Sequence, residues 1–208
     1  FVGHGTLMME IRDLVIHVDP TMREADYDRM PGADLVLVTH HHGDHFDREA
    51  LAAVCDERTV IVLPQRCADE MSVPGMLRIL DNGESTGFKE YEITAVPAYN
   101  LVHMRSNGRP FHPRGEGNGY VVRFGDTRVY IAGDTENVPE MKRLEDIDVA
   151  FLPMNLPYTM TPAMVADAAR AFRPQILYPY HYGNTDVQEL VALLSEATDI
   201  EVRIREMR

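Results

Sequence analysis

The sequence predicts an α/β protein in which two β-sheets pack face to face with helices on the outside. A strand-rich stretch followed by helical signals occurs twice along the chain, the alternation expected when sheets form the middle layers and helices the outer ones. Residues 35–38, Val60–Leu63 and Val149–Pro153 are unbroken apolar runs, the pattern of strands covered on both faces. With 208 residues, 45% hydrophobic and 25% charged, the chain can bury one sizeable core. A single domain over residues 1–208 is therefore expected.

Taken in order, Leu7–Ile11 and Leu14–Val18 flank the polar pair Arg12-Asp13 and read as a hairpin ended by Asp19-Pro20. Residues 21–32 are polar and irregular, and the apolar run 35–38 follows. Asp47 is a fitting N-cap for a helix to about Asp56, with Leu51, Val54 and Cys55 on one face. Val60–Leu63 reads as a buried strand and residues 64–71 as a short helix. The turn Asp81-Asn82-Gly83 separates strand-like segments at 76–80 and 88–96.

Residues 97–119 hold three prolines and four glycines, too many for a helix or an internal strand. A loop of that length in a compact domain is usually functional or disordered. It carries Arg105, Arg109 and Arg114 with His103 and His112, against the single acid Glu116. In a chain of formal charge −13, this local basic excess invites an anionic ligand; on charge alone a solvated surface loop fits equally well.

Order returns with a hairpin of residues 120–124 and 128–132 about Gly125-Asp126, ending in Gly133-Asp134-Thr135. After the strand Val149–Pro153, Thr161-Pro162 opens a helix with threonine at the cap and proline at the first turn. Met164, Val165, Ala168, Ala169 and Phe172 form its apolar face, and Pro174 stops it. Ile176–Tyr180 reads as a strand running into His181. Thr185 with Gln188 forms a capping-box pattern for a last helix whose inner side is Leu190, Val191, Leu193 and Leu194.

The chemistry is concentrated where the run 35–38 ends, in Thr39-His40-His41-His42-Gly43-Asp44-His45. A buried strand delivering His-x-His-x-Asp-His places ligands on a rigid support. Alternate side chains of an extended segment share a side, so His40 and His42 can hold one ion while His41 points elsewhere. Beyond the Gly43 turn, Asp44 and His45 can face a second. Neutral imidazole with carboxylate suits zinc, manganese or iron rather than calcium or magnesium. Asp134 and His181 each follow an apolar strand and supply a shared carboxylate and a further imidazole. A carboxylate between two cations relieves their repulsion and leaves room for a bridging hydroxide.

Composition excludes other classes. The acidic balance disfavours nucleic acid, whose phosphates demand a basic surface. No apolar run reaches membrane-spanning length, and no signal peptide is visible. Cys55 and Cys67 are too few and too far apart for a zinc finger or a disulfide framework. A cytoplasmic protein with reduced thiols is expected, and a homo-oligomer is compatible with this. Phe1 stands inside a strand-like segment, so residues upstream are expected.

Gly3-His4-Gly5-Thr6, Asp19-Pro20, Thr39 to His45, Gly133-Asp134-Thr135 and His181 together resemble the metallo-β-lactamase superfamily over nearly the whole chain. Within it the chain is most similar to small stand-alone metal-dependent hydrolases that group with ascorbate-6-phosphate lactonase-like proteins. The resemblance implies a four-layer αββα sandwich of two mixed sheets with the active site at one edge. It also implies His40 and His42 on a first metal, Asp44, His45 and His181 on a second, and Asp134 bridging. His4 and Asp19 are expected to support the metal loops by hydrogen bonding, and His17 to be structural. Tyr99, Tyr158, Tyr180 and Tyr182 either line the cleft, with Tyr158 on the substrate, or are buried tyrosines with satisfied hydroxyls.

One departure stands out. The family usually supplies a third histidine to the first metal from a strand end that here reads Pro97-Ala98-Tyr99-Asn100. An amide oxygen is a poor zinc ligand, so either the first site is weak or another residue of the same loop substitutes, with His112, stiffened by Pro113, the natural candidate ahead of His103. Asn100 is then left to bind a ligand or a bound water. The expected function is metal-dependent hydrolysis, by a metal-activated hydroxide, of a small anionic ester, lactone or phosphodiester. Two ions are expected, zinc first and manganese or iron also compatible. Asp44 would orient the nucleophile, and Arg105, Arg109, Arg114 and Asn100 would hold substrate. Two alternatives remain: a nuclease of the same superfamily, and a non-catalytic metal-binding protein with a degenerate first site.

Overall fold

The computed structural model describes residues 1–207. β1 (Leu7–Ile11) and β2 (Leu14–Val18) form the expected antiparallel hairpin, with Leu7 opposite Val18 and Ile11 opposite Leu14. Its two-residue turn takes Arg12 to a φ of 54°. β3 (Leu35–Leu37), β4 (Val60–Leu63) and β5 (Met76–Ile79) add in parallel, giving a five-stranded sheet in the order β1-β2-β3-β4-β5. The second sheet has seven strands. β6 (Ser85–Phe88), β7 (Tyr91–Ala98), β8 (Gly117–Phe124) and β9 (Thr127–Ile131) are antiparallel neighbours. β10 (Val149–Pro153), β11 (Ile176–Tyr180) and β12 (Glu201–Val202) continue it in parallel.

The period-two pattern explains why β3 is apolar throughout. Leu35 and Leu37 pack with Ile16, Val18, Ile93, Tyr120 and Val122 in the core between the sheets. Val36 and Val38 point the other way, onto Ala50, Leu51 and Val54 of α1 (Arg48–Val54). Both faces are covered, and full burial of each such side chain is worth about 1.5–3 kcal/mol. On the larger sheet Tyr120 reaches inward to donate its hydroxyl to the Val38 carbonyl at 2.7 Å. Its neighbour in the alternation, Tyr130, faces outward onto Phe172 of α3 (Pro162–Phe172). Asp47 caps α1 through Glu49 N and Ala50 N, and Thr161 caps α3 through Met164 N.

Several expectations are corrected. Residues 88–96 are not one strand: Lys89-Glu90 forms a two-residue turn between β6 and β7, with Lys89 at a φ of 52°. β8 begins at Gly117, inside the stretch read as loop. Gly119 is required there because a Cβ would lie 2.6 Å from the Ala132 carbonyl oxygen, just past β9, and 2.9 Å from the Ile131 carbonyl oxygen at its end; the glycine marks close strand approach rather than a break. The helix at 64–71 shortens to α2 (Gln65–Ala68). α4 (Val187–Leu193) is capped by Asp186, not Thr185, because the Asp186 carboxylate takes the Gln188 N–H. Leu190 and Leu194 are buried beneath α4, whereas Leu193 is only half-buried and Val191 is exposed. Cys55 and Cys67 are buried free thiols. Among the described residues no helix is long and apolar enough to cross a membrane.

Candidate metal centre

The carboxyl ends of β2, β3, β9 and β11 converge at one edge of the sandwich. There they deliver Asp19, His40 to His45, Asp134 and His181. After β3 the chain closes a turn in which the His42 carbonyl accepts from His45 N at 2.9 Å and Phe46 N at 2.8 Å. His4 enters from the N-terminal turn, where its carbonyl accepts from His181 N at 3.0 Å. His4, Asp19 and His181 adopt φ values of 49°, 45° and 46°, a region costing non-glycine residues about 1–3 kcal/mol. Gly5 cannot carry a side chain, since a Cβ would stand 2.5 Å from His45 Cε1.

Asp134 lies between two groups of side chains. On one side are His40, His42 and His112, with His40 Nε2 3.1 Å from His42 Nδ1 and His112 Nε2 3.2 Å from Asp134 Oδ2. On the other are Asp44, His45 and His181, with His45 Nε2 3.4 Å from Asp134 Oδ1 and His181 Nε2 3.5 Å from Oδ2. Asp44 Oδ2 is 3.6 Å from His181 Nε2 and 3.2 Å from Nε2 of His4, which completes this second group.

Hydrogen bonds behind the cluster decide which way the rings present themselves. Asp19 is fully buried; it accepts from Thr39 N at 2.7 Å, Thr39 Oγ1 at 2.6 Å and His45 Nδ1 at 2.8 Å. A carboxylate only accepts, so His45 carries a proton on Nδ1, and in its neutral, ligating form it turns a lone pair inward at Nε2. Thr39 has spent its hydroxyl proton on Asp19, so it accepts from His40 Nδ1 at 3.0 Å and His40 Nε2 is likewise a lone pair. His45 Nε2, His112 Nε2, His181 Nε2 and Asp134 Oδ1 are all buried without a hydrogen-bond partner. Orphans of this kind are rare in proteins, and four at one point form a donor set for cations. Imidazole and carboxylate in this arrangement fit first-row divalent metals.

The electrostatics agree with that fit. Burial holds His40 well below the ordinary histidine range and His42 down at about 4, so both are neutral, the form that ligates. Asp134 stays ionised: burial opposes its charge, but His181, His45 and His112 pull its pKa well down. For His45 burial opposes protonation, yet Asp134, Asp19 and Asp44 together push it up to about 9. A cation displacing the Nε2 proton of that charged form would find two carboxylates beside it, Asp134 Oδ1 at 3.4 Å and Asp44 Oδ2 at 3.9 Å from the nitrogen.

A cleft of about 380 Å³ opens onto the cluster, lined by His4, Asp44, Asp134 and His181 with Arg105, Tyr158 and others. Of the three arginines read as substrate-binding, only Arg105 lines it; its guanidinium stacks on Phe111 at 4.9 Å. Arg109 is exposed elsewhere on the loop, and Arg114 pairs with Glu140 at 2.6 Å over the Tyr99 ring. Tyr158 lines the cleft at 45% exposure. Asn100 does not: it is buried behind His112, and its Oδ1 accepts from His112 N at 2.7 Å and Nδ1 at 2.9 Å. Tyr99, Tyr180 and Tyr182 are buried, and Tyr180 hydroxyl accepts from Gly133 N at 2.9 Å. His17 is buried on the Pro31 carbonyl at 3.0 Å. Sequence reasoning missed Arg23, Phe111 and Asn155 in the cleft wall; no spacing or cluster marks them. Nor was Glu136 singled out; it stands two residues after Asp134, is fully buried and accepts from Asn100 Nδ2 at 3.2 Å.

Residues 1–181 match the family described as the Beta-lactamase superfamily domain. A UPF0173 metal-dependent hydrolase of Thermococcus onnurineus is 30% identical over 179 residues, 81% of this chain and 77% of that protein. A crystal structure from Parabacteroides distasonis, described as a metal-dependent hydrolase, is 46% identical with a TM-score of 0.93 and covers 100% of this chain and 92% of its own. Igni18, a metallo hydrolase of Ignicoccus hospitalis, shares the fold at a TM-score of 0.78 and 21% identity, covering 100% of this chain and 94% of its own.

Proposed function

Because the chain belongs to the beta-lactamase superfamily, as a metal-dependent hydrolase of the metallo-β-lactamase fold, we propose that its histidine and aspartate cluster holds two divalent cations and hydrolyses a small anionic ester, lactone or phosphodiester. His40, His42 and His112 would hold the first cation and Asp44, His45 and His181 the second, with Asp134 shared between them. Zinc is the cation expected from this donor set; manganese and iron also suit it. When bound, the cations supply Lewis acidity, lowering the pKa of a water and polarising the carbonyl or phosphoryl oxygen under attack.

The chain's own residues supply the rest. Of the two ligand carboxylates that line the cleft, Asp44 is the more exposed, at 34% side-chain exposure against 4% for Asp134; it would orient the attacking water and take up its proton. Asp19 and Thr39 hold His45 and His40 with their lone pairs inward, so no reorganisation is needed when substrate arrives. Arg105 stands in the cleft wall and meets an anionic group of the substrate, and the Tyr158 ring provides an apolar side to the same cavity. The buried thiols of Cys55 and Cys67 agree with a reducing, cytoplasmic setting.

The observation that carries this reading is the convergence of His45 Nε2, His112 Nε2, His181 Nε2 and Asp134 Oδ1, buried and unpartnered, around one point. Its test is Asp134→Ala, screened on ester, lactone and phosphodiester substrates with Zn²⁺ or Mn²⁺. Hydrolysis should be abolished and bound metal reduced at both positions, since the cations then lose their shared negative charge. Full activity in that variant would end the two-cation reading.

A further inference from the structure

His112 is steered from behind by a single buried amide. Asn100 Oδ1 accepts from His112 N and Nδ1, while Asn100 Nδ2 donates to the Tyr158 carbonyl at 2.8 Å and to Glu136 Oε1 at 3.2 Å. A backbone N–H can only donate and a carbonyl can only accept. These two partners therefore fix which end of the amide is which, independently of the His112 ring. The ring nitrogen facing Oδ1 must carry the proton, and Nε2 is left as a lone pair 3.2 Å from Asp134 Oδ2.

The amide is itself held by Glu136, a fully buried carboxylate two residues after Asp134. Glu136 Oε2 accepts from Leu101 N and Val102 N, both at 2.7 Å. Its Oε1 accepts from His103 N at 2.8 Å and His103 Nδ1 at 2.7 Å as well as from Asn100. Glu136 N in turn donates to the Tyr99 carbonyl at 3.0 Å. Among the described residues, its ion-pair partner is His103, with no lysine or arginine in range. A buried carboxylate is costly without such donors, and here five of them come from residues 100–103. One side chain thus ties the strand end that carries Asp134 to the segment that carries Asn100.

We propose that Glu136 is a positioning residue of the metal centre, fixing the orientation and tautomer of His112 through the Asn100 amide. This rests on the reading that His112 is a ligand of the first cation. It explains how a histidine twelve residues beyond Asn100 is brought to the site with its Nε2 lone pair already directed inward.

The test is Zn²⁺ stoichiometry and affinity by chelator competition, with the absorption spectrum of the Co²⁺-substituted protein, in wild type, His112→Ala, Asn100→Ala, Glu136→Gln and the Glu136→Gln/His112→Ala double variant. His112→Ala should lose tight binding of one cation. Glu136→Gln and Asn100→Ala should each weaken that same cation by about 10–100-fold, the range for residues that orient a ligand, and alter its Co²⁺ bands while the other cation keeps wild-type affinity. Glu136→Gln should add nothing in the His112→Ala background. Asn100→Ala tests the same path if Glu136→Gln does not fold. Loss of one cation in His112→Ala alone, with wild-type affinities in Glu136→Gln and Asn100→Ala, overturns the role of Glu136 and leaves the ligand reading standing. Equal weakening of both cations in Glu136→Gln, or a full further loss in the double variant, reduces Glu136 to a loop anchor and also overturns it. Retention of both cations in His112→Ala overturns the ligand reading itself.

Discussion

Asp19→Asn tests the hydrogen-bonded support behind the cluster most sharply, because it changes charge with almost no change in shape. Asp19 Oδ1 receives Thr39 N, and Oδ2 receives Thr39 Oγ1 and His45 Nδ1, at 2.6–2.8 Å with no solvent contact. An asparagine offers one oxygen. If that oxygen faces His45, the amide NH₂ opposes the Thr39 N–H; if it faces Thr39 N, the NH₂ opposes His45 Nδ1. In the second case His45 must move its proton to Nε2, the atom that faces Asp134. Either way a hydrogen bond to a charged group is lost, about 1.5–3 kcal/mol, and a buried donor is stranded at about 1–3 kcal/mol. These effects share partners and do not simply add, so a stability loss of about 3 kcal/mol is expected in the metal-free protein. Metal affinity should fall about 10–100-fold, equivalent to about 1.4–2.8 kcal/mol. Urea denaturation and zinc competition against a chelator measure the two quantities. A variant within about 0.5 kcal/mol of wild type in stability and about twofold in affinity would refute the idea that Asp19 orients His45.

The remaining perturbations address pH and substrate charge. Burial holds His17, His40 and His42 below the ordinary range, His42 at about 4. The unfolded chain therefore takes up protons below about pH 6.5 that the folded rings refuse. Stability of the metal-free protein should fall on acidification from about pH 6.5 towards about 4, by up to about 1.4 kcal/mol per pH unit for each such ring. His45 acts in the opposite sense: with its folded pKa pushed up to about 9, its contribution is complete below about pH 6.5 and is lost as pH rises towards 9. Urea melts across this interval should show a maximum near the middle, and a flat acid limb would contradict the assignment. Arg105→Ala should raise KM for anionic substrates and spare neutral ones, whereas Arg114→Ala, whose side chain is engaged by Glu140, should alter neither; equal effects of Arg105→Ala on both classes would mean that the residue only shapes the cleft.

The parts of the fold legible in the sequence are those where one physical demand dominates. β3 is apolar at every position because it is covered on both faces, and Thr161-Pro162 marks a helix start because cap and first-turn chemistry coincide there. The same holds for His40 to His45, where a rigid strand ends in a dense donor set. Legibility fails where two demands use the same residue type. Gly117 and Gly119 signal a loop by composition, yet Gly119 is in β8 because the neighbouring backbone leaves no room for a Cβ. Lys89-Glu90 has no turn composition but still closes a hairpin. At the site, the gap at Asn100 points to His112, but the sequence leaves Asn100 itself to meet a ligand or a bound water, whereas it lies behind His112 and accepts from its N and Nδ1. Neither that place nor the contact with Glu136 is legible, since both depend on donors assembled only in the folded chain. Charge counting in the loop likewise could not separate Arg105, which reaches the cleft, from Arg109 and Arg114, which do not.

Diffraction from crystals of the full chain grown with zinc, recorded on both sides of the zinc absorption edge, tests the proposed two-cation centre most directly. Two anomalous peaks are expected, one among His40, His42 and His112 and one among Asp44, His45 and His181, with Asp134 between them. A single peak, or peaks remote from Asp134, would contradict it.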